Sequence, residues 1–148
     1  MLIKRLKKEF SSITKLYIIL FLISSLTVAM YGKYRCSHID NHKDVLEFDL
    51  FNNSAEYGLD GWSLSHLLFF GLIGYLFPDT LLLTMFLGAL WELFETIVGI
   101  YKPELIDGFG FCQLSDSKYK VWWYGKWSDI VVNFIGFMLG SIIRKNIM

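Results

Sequence analysis

Four apolar stretches, at roughly 13–30, 62–77, 80–100 and 129–143, limit what this chain can become more than any other feature. Each comes near the about 17 to 25 residues that a helix needs to cross a bilayer, the second and fourth being short for it. Composition points the same way. The 148 residues are 54% hydrophobic and 18% aromatic with two prolines, too apolar for an ordinary soluble domain of this size. The expected fold is all-α, a single integral membrane domain over 1–148 built as a four-helix bundle with short helices. Long loops at 31–61 and 101–128 join them. A formal net charge of zero gives no basic excess to suggest nucleic acid as a partner.

The first stretch follows Lys4, Arg5, Lys7 and Lys8, which is also how a signal peptide begins. An anchor is the better reading. The apolar run is long for a signal core, and Met30 and Tyr31 stand near Ala29 and Gly32, where a cleavage site wants small residues. Positive residues flank the bundle at Lys4, Arg5, Lys7, Lys8 and Lys15 and again at Arg144 and Lys145, so both termini are expected in the cytoplasm. The first long loop, with Asp40, Asp44, Glu47, Asp49, Glu56 and Asp60 against Lys33, Arg35 and Lys43, suits the opposite side. His38 and His42 in that loop read as solvent-exposed.

Between the second and third stretches stands Phe77-Pro78-Asp79-Thr80. Proline cannot continue a helix, and Asp79 or Thr80 can cap the next one, so a tight cytoplasmic hairpin is expected. In an antiparallel pair turning there, His66 lies level with Trp91 and Glu92, about 18 Å from the turn at about 1.5 Å per residue. On the fourth helix Asp129 stands about 22 Å and Asn133 about 17 Å above Arg144. His66, Glu92, Glu95, Asp129 and Asn133 therefore share one layer near the non-cytoplasmic face.

Each member has a plainer explanation. Glu92 and Glu95, three apart, share a helix face with Gly88 and Gly99, and an acid near the bilayer centre costs about 2.5 to 3.5 kcal/mol unless it finds a partner, water or a cation. Glu95 can instead reach toward headgroups. Ser128-Asp129 is what a helix cap selects, and Asn133 above the Gly136/Gly140 pair can be interhelical glue. A lone histidine such as His66 is commonly bonded to a carbonyl. Taken together they favour a site, in which His66 beside Glu92 acts as a general base. Three carboxylates and an amide oxygen suit calcium, magnesium or manganese, and zinc with His66 stays open. Cys36 and Cys112 both fall in loops placed outside, where a disulfide and two free thiols are both open. Asn52-Asn53-Ser54 matches a glycosylation sequon in the first loop.

The order of motifs is Ser65-His66, Trp91-Glu92-Leu93-Phe94-Glu95, Trp122-Trp123 with Asp129 six positions beyond, then Asn133 and a glycine pair. It resembles the core of the base-exchange phosphatidylserine synthases and is similar to that of VanZ-like membrane proteins, over residues 62–143. Tyr124 stands where the synthases carry an acid. The resemblance implies a calcium-dependent site, lined by His66, Glu92, Glu95 and Asp129, where a hydroxyl attacks a phospholipid's phosphodiester.

The expectation is thus a membrane-embedded, divalent-cation-dependent enzyme that exchanges or hydrolyses a phospholipid head group, a phosphatidyltransferase or phosphodiester hydrolase. His66 and Glu92 are the catalytic candidates. Glu92, Glu95, Asp129 and Asn133 are the metal candidates, with calcium the first choice of ion. Expected partners are a phospholipid and serine or water as acceptor, within the membrane. Trp62, Trp122, Trp123 and Trp127 fit an interfacial aromatic belt. The alternative is a non-enzymatic lipid-binding or membrane assembly protein. A channel is disfavoured because the cytoplasmic halves of the helices are almost wholly apolar.

Overall fold

The computed structural model describes residues 2–38, 46, 48, 50, 59–103, 111–113, 119–121 and 125–147, of which 2–13, 113 and 119–121 are described as backbone alone. Most acids of the first loop, His42, the sequon, Trp122, Trp123 and Tyr124 lie outside the described residues. Four helices form: α1 (Leu2–Ser37), α2 (Gly61–Leu76), α3 (Leu81–Tyr101) and α4 (Trp127–Ile147). Three of them contain apolar spans long enough to cross a membrane, Thr14–Ser37, Leu81–Tyr101 and Trp127–Ile147, while α2 is shorter. Their outward faces carry exposed leucine, isoleucine and phenylalanine, as expected of an integral membrane protein whose solvent is hydrocarbon.

The helix limits differ from the apolar stretches in an instructive way. α1 continues through 31–37, residues assigned from sequence to a loop, because charge and an isolated glycine at Gly32 do not break a helix already under way. α4 reaches beyond 129–143 at both ends, so it is not short. At α2 the cap is Asp60, whose carboxylate accepts from the backbone N–H of Ser63 at 2.9 Å. Thr80 caps α3 without a side-chain bond to the helix backbone N–H groups; its hydroxyl instead donates to the Phe77 carbonyl. α3 ends at Lys102, which adopts a left-handed conformation with φ 44° and bonds back to Val98, and Pro103 follows. Two three-residue strands, β1 (Phe111–Gln113) and β2 (Tyr119–Val121), pair antiparallel within the second loop, a feature no sequence signal announced.

The closest pair in the bundle is α2 with α4, and they run parallel. Ser63 meets Asp129, His66 meets Asn133, Gly74 meets Ser141 and Tyr75 meets Arg144, both helices running in the same direction. Glycines make this possible. A Cβ at Gly140 would fall on the carbonyl oxygen of Gly71, one at Gly136 on that of Leu67, and one at Gly74 on that of Phe137. Backbone therefore touches backbone, which in lipid yields dispersion contact unavailable to larger residues.

α1 is held through rings: Tyr17 against Phe77 at 5.8 Å between centroids, Phe21 against Trp91 at 6.2 Å and Tyr31 against Trp62 at 5.6 Å. Two small apolar cores result. Tyr17, Ile73, Phe77 and Phe137 fill the end near the Pro78 turn, and Val98 with Phe111 fills the other. At that second end a disulfide joins Cys36, in the last turn of α1, to Cys112 of β1, with Cα atoms 5.3 Å apart. It decides between the two states the sequence left open.

Candidate functional site

Between the two apolar cores lies a polar layer assembled by three helices. The α2/α4 glycine contact brings His66 and Asn133 together, with His66 Nδ1 2.9 Å from Asn133 Oδ1. With the Asn133 amide oriented this way its oxygen accepts, which selects the tautomer with the proton on Nδ1 and the lone pair on Nε2. From α3, Glu92 reaches toward the same ring, its Oε1 3.7 Å from Nδ1. His66, Glu92 and Asp129 each present a ligand-type atom, and these atoms lie within 4.8 Å of one another.

Burial sharpens the arrangement. Glu92 is 4% exposed, Asp129 5% and Asn133 0%. Glu92 Oε2 accepts from the backbone N–H of Lys126 at 3.0 Å, whereas Glu92 Oε1 is buried without a hydrogen-bond partner, as is Asn133 Nδ2. Asp129 is not used as a helix cap: its Oδ1 accepts from the Ser63 hydroxyl at 2.6 Å, across to α2. Ser128 Oγ beside it is buried without a partner.

Glu95 is buried on the same face, one turn further along α3, and is hydrogen-bonded by the Trp91 side chain. It stands outside the three-residue group, so the set the structure brings together is His66, Glu92 and Asp129, with Asn133 behind the histidine. Of the expected metal set, Glu92 and Asp129 belong to this group, Asn133 is bonded to its histidine, and Glu95 lies one turn beyond. The reason Glu95 stands apart is axial: three residues along the helix carry it about 4.5 Å past Glu92, where it meets Trp91.

Three supporting residues were not singled out in the sequence. Lys126 holds Glu92 with its amide and Asp60 with its ammonium, Nζ lying 2.6 Å from Asp60 Oδ2. Asp60 in turn caps α2 and places Ser63 against Asp129. Gly125 lets this segment approach α3, since a Cβ there would fall on the Glu92 carbonyl oxygen. The cap was legible as Asp60-Gly61-Trp62-Ser63 directly before an apolar run. Lys126 gave no such sign, because its partners lie 34 and 66 positions away. Of the tryptophans, Trp127 is exposed at the start of α4 and Trp62 packs on Tyr31, positions compatible with a belt. His38 is exposed, as expected; it directly follows α1, and its ring lies 4.5 Å from that of Tyr34, tilted by 33°.

Chemically, the group joins two carboxyl side chains and an imidazole within 4.8 Å, with one carboxyl oxygen, Glu92 Oε1, lacking a hydrogen-bond partner, all inside an apolar bundle. Compared with known proteins, the chain matches no family model, no curated protein and no solved structure.

Proposed function

We propose that this protein is a membrane-embedded enzyme that uses a divalent cation to exchange or hydrolyse the head group of a phospholipid. The observation that carries the reading is Glu92 Oε1, buried without a donor where His66 and Asp129 converge. A carboxylate oxygen in such surroundings is costly unless a positive group meets it, and two carboxylates with an imidazole are a donor set that a divalent cation fits. Calcium leads on the resemblance to base-exchange synthases; magnesium, manganese and zinc accept the same donor types. Glu92 and Asp129 would hold the ion, with Glu95 from the next turn and the Asn133 amide oxygen as its wider surroundings. When bound, it would offset charge gathering on the phosphate oxygens in the transition state.

His66 then has a defined task. With Nδ1–H fixed by Asn133, Nε2 takes the proton from an attacking hydroxyl, that of water or of a small alcohol such as serine. The new phosphorus–oxygen bond forms as the bond to the departing head group breaks, and the imidazolium returns its proton to the leaving alkoxide. The disulfide at the Cys36 end supports placing the layer toward an oxidising, non-cytoplasmic compartment, with Arg144 and Lys145 at the opposite, cytoplasmic end.

The test is direct. Purified protein incubated with head-group-labelled phospholipid should release or exchange the label, a chelator should stop it, and His66→Ala and Glu92→Gln should each abolish turnover while expression is retained. Unchanged turnover in both variants would end the assignment. Tight lipid binding with no product would favour a non-enzymatic lipid-binding or assembly role.

A further inference from the structure

The ring pairs that hold α1 leave a gap between them. Phe21 is fixed against Trp91 and Tyr31 against Trp62, but the intervening positions facing the bundle, Ser24, Ser25 and Val28, are small, and exposed Thr27 stands at the edge. Opposite them stand Ser65, His66 and Phe69 of α2. The space enclosed is a cleft of about 290 Å³. Three of its four hydroxyls are already bonded to carbonyls of their own helices, that of Ser65 to Trp62. Ser25 Oγ donates to the Phe21 carbonyl at 2.8 Å and Thr27 Oγ1 to that of Ile23 at 2.9 Å, so both present their carbon sides to the space. Ile23 also borders the cleft and is 56% exposed, so the opening is sideways, through the flank of a span. His66 is the one titratable group in the lining and belongs equally to the polar layer.

We infer that this cleft seats one hydrocarbon chain of a bilayer lipid, entering laterally between α1 and α2, so that the polar end of the lipid arrives at His66. The identity of the cargo as a phospholipid rests on the head-group reading above; the seat itself rests on the cleft. Four observations commit it to a lipid chain. The mouth lies within a membrane span, where hydrocarbon is the surrounding medium, and exposed Leu22, Leu26 and Leu68 continue the apolar surface around it. The lining carries no fixed charge to recognise a polar ligand. At about 30 Å³ per water-sized group the volume admits roughly ten such groups, the scale of a chain segment and not of a whole phospholipid. Finally, the cleft ends on the polar layer, so a chain in it has its ester and phosphate end directed to the one place in the bundle where polar groups are gathered.

The experiment uses the full chain in phosphatidylcholine nanodiscs containing a phosphatidylcholine with a diazirine on its acyl chain. After photolysis, crosslinks should map to Phe21–Val28 positions facing inward, Ser24, Ser25 and Val28, and to Ser65 and Phe69. Ser25→Phe and, independently, Val28→Phe should lower that labelling at least fivefold while the unfolding midpoint stays near that of the wild type. Labelling confined to the outward Leu22, Leu26 and Leu68, or inward labelling unaltered by either bulky residue, would overturn the seat. Inward labelling that persists in a protein with no head-group turnover would defeat the head-group reading and leave the seat standing.

Discussion

Replacing Gly140 by alanine tests the whole architecture through one methyl group. The added Cβ would fall on the carbonyl oxygen of Gly71 and lie 2.8 Å from both the Gly71 carbonyl carbon and the Tyr75 nitrogen. Optimal carbon contacts are at about 3.5 to 4.0 Å, so α2 and α4 must part by roughly 1 Å. All the obstructing atoms are backbone and cannot rotate away. Added to the 2.6 Å Ser63–Asp129 bond and the 2.9 Å His66–Asn133 bond, that shift carries both beyond hydrogen-bonding distance. Overpacking of this kind costs about 1 to 3 kcal/mol, and each interhelical bond lost in a membrane adds about 0.6 kcal/mol. The expected loss is therefore about 2 to 4 kcal/mol, read as the unfolding free energy in a denaturing-detergent titration. Gly71→Ala is the control. Its Cβ would meet only the Gly136 carbonyl, with the oxygen at 3.4 Å, so it should shift stability by under about 1 kcal/mol. Equal effects of the two substitutions would refute the claim that backbone contact between α2 and α4 sets the site.

Ser63→Ala removes the donor to Asp129 but leaves the backbone cap at Asp60, so stability should fall by about 0.6 kcal/mol, and by no more than about 1.7, in the same titration, with Ser63→Thr recovering most of it. An undiminished midpoint in the alanine variant would show that Asp129 finds its partner elsewhere. The disulfide spans 76 residues of sequence, for which chain-entropy reasoning gives up to about 4.5 kcal/mol, so reduction should lower the unfolding midpoint clearly. In sealed right-side-out vesicles, an impermeant reductant followed by an impermeant maleimide should label Cys36 and Cys112. Labelling only after the vesicles are opened would reverse the proposed orientation.

Much of this molecule could be read from its residues in order. The apolar stretches and the Pro78 break fixed the number of helices and the α2–α3 hairpin, because helix length and proline chemistry are local properties. Counting at a fixed rise per residue from that turn set His66 level with Glu92, and the ring does lie 3.7 Å from its carboxylate. The glycine pair on α4 announced close helix contact, and the contact is there. What height along a helix cannot convey is direction around it and choice of neighbour. An up-and-down reading makes each helix the partner of the next, yet the tightest contact is between parallel α2 and α4, since only those two carry glycines in matching register. That pairing turned Asp129 from a cap toward Ser63 and Asn133 toward His66, and the approach of Gly125 and Lys126 fixed Glu92. Glu95, one turn further along the same face of α3, was left with Trp91. The sequence by itself determined a four-helix membrane protein with a polar layer at one depth. Which of those polar groups meet was decided by tertiary packing, because azimuth and partner depend on contacts between residues 66 and 67 positions apart, beyond the reach of any local pattern.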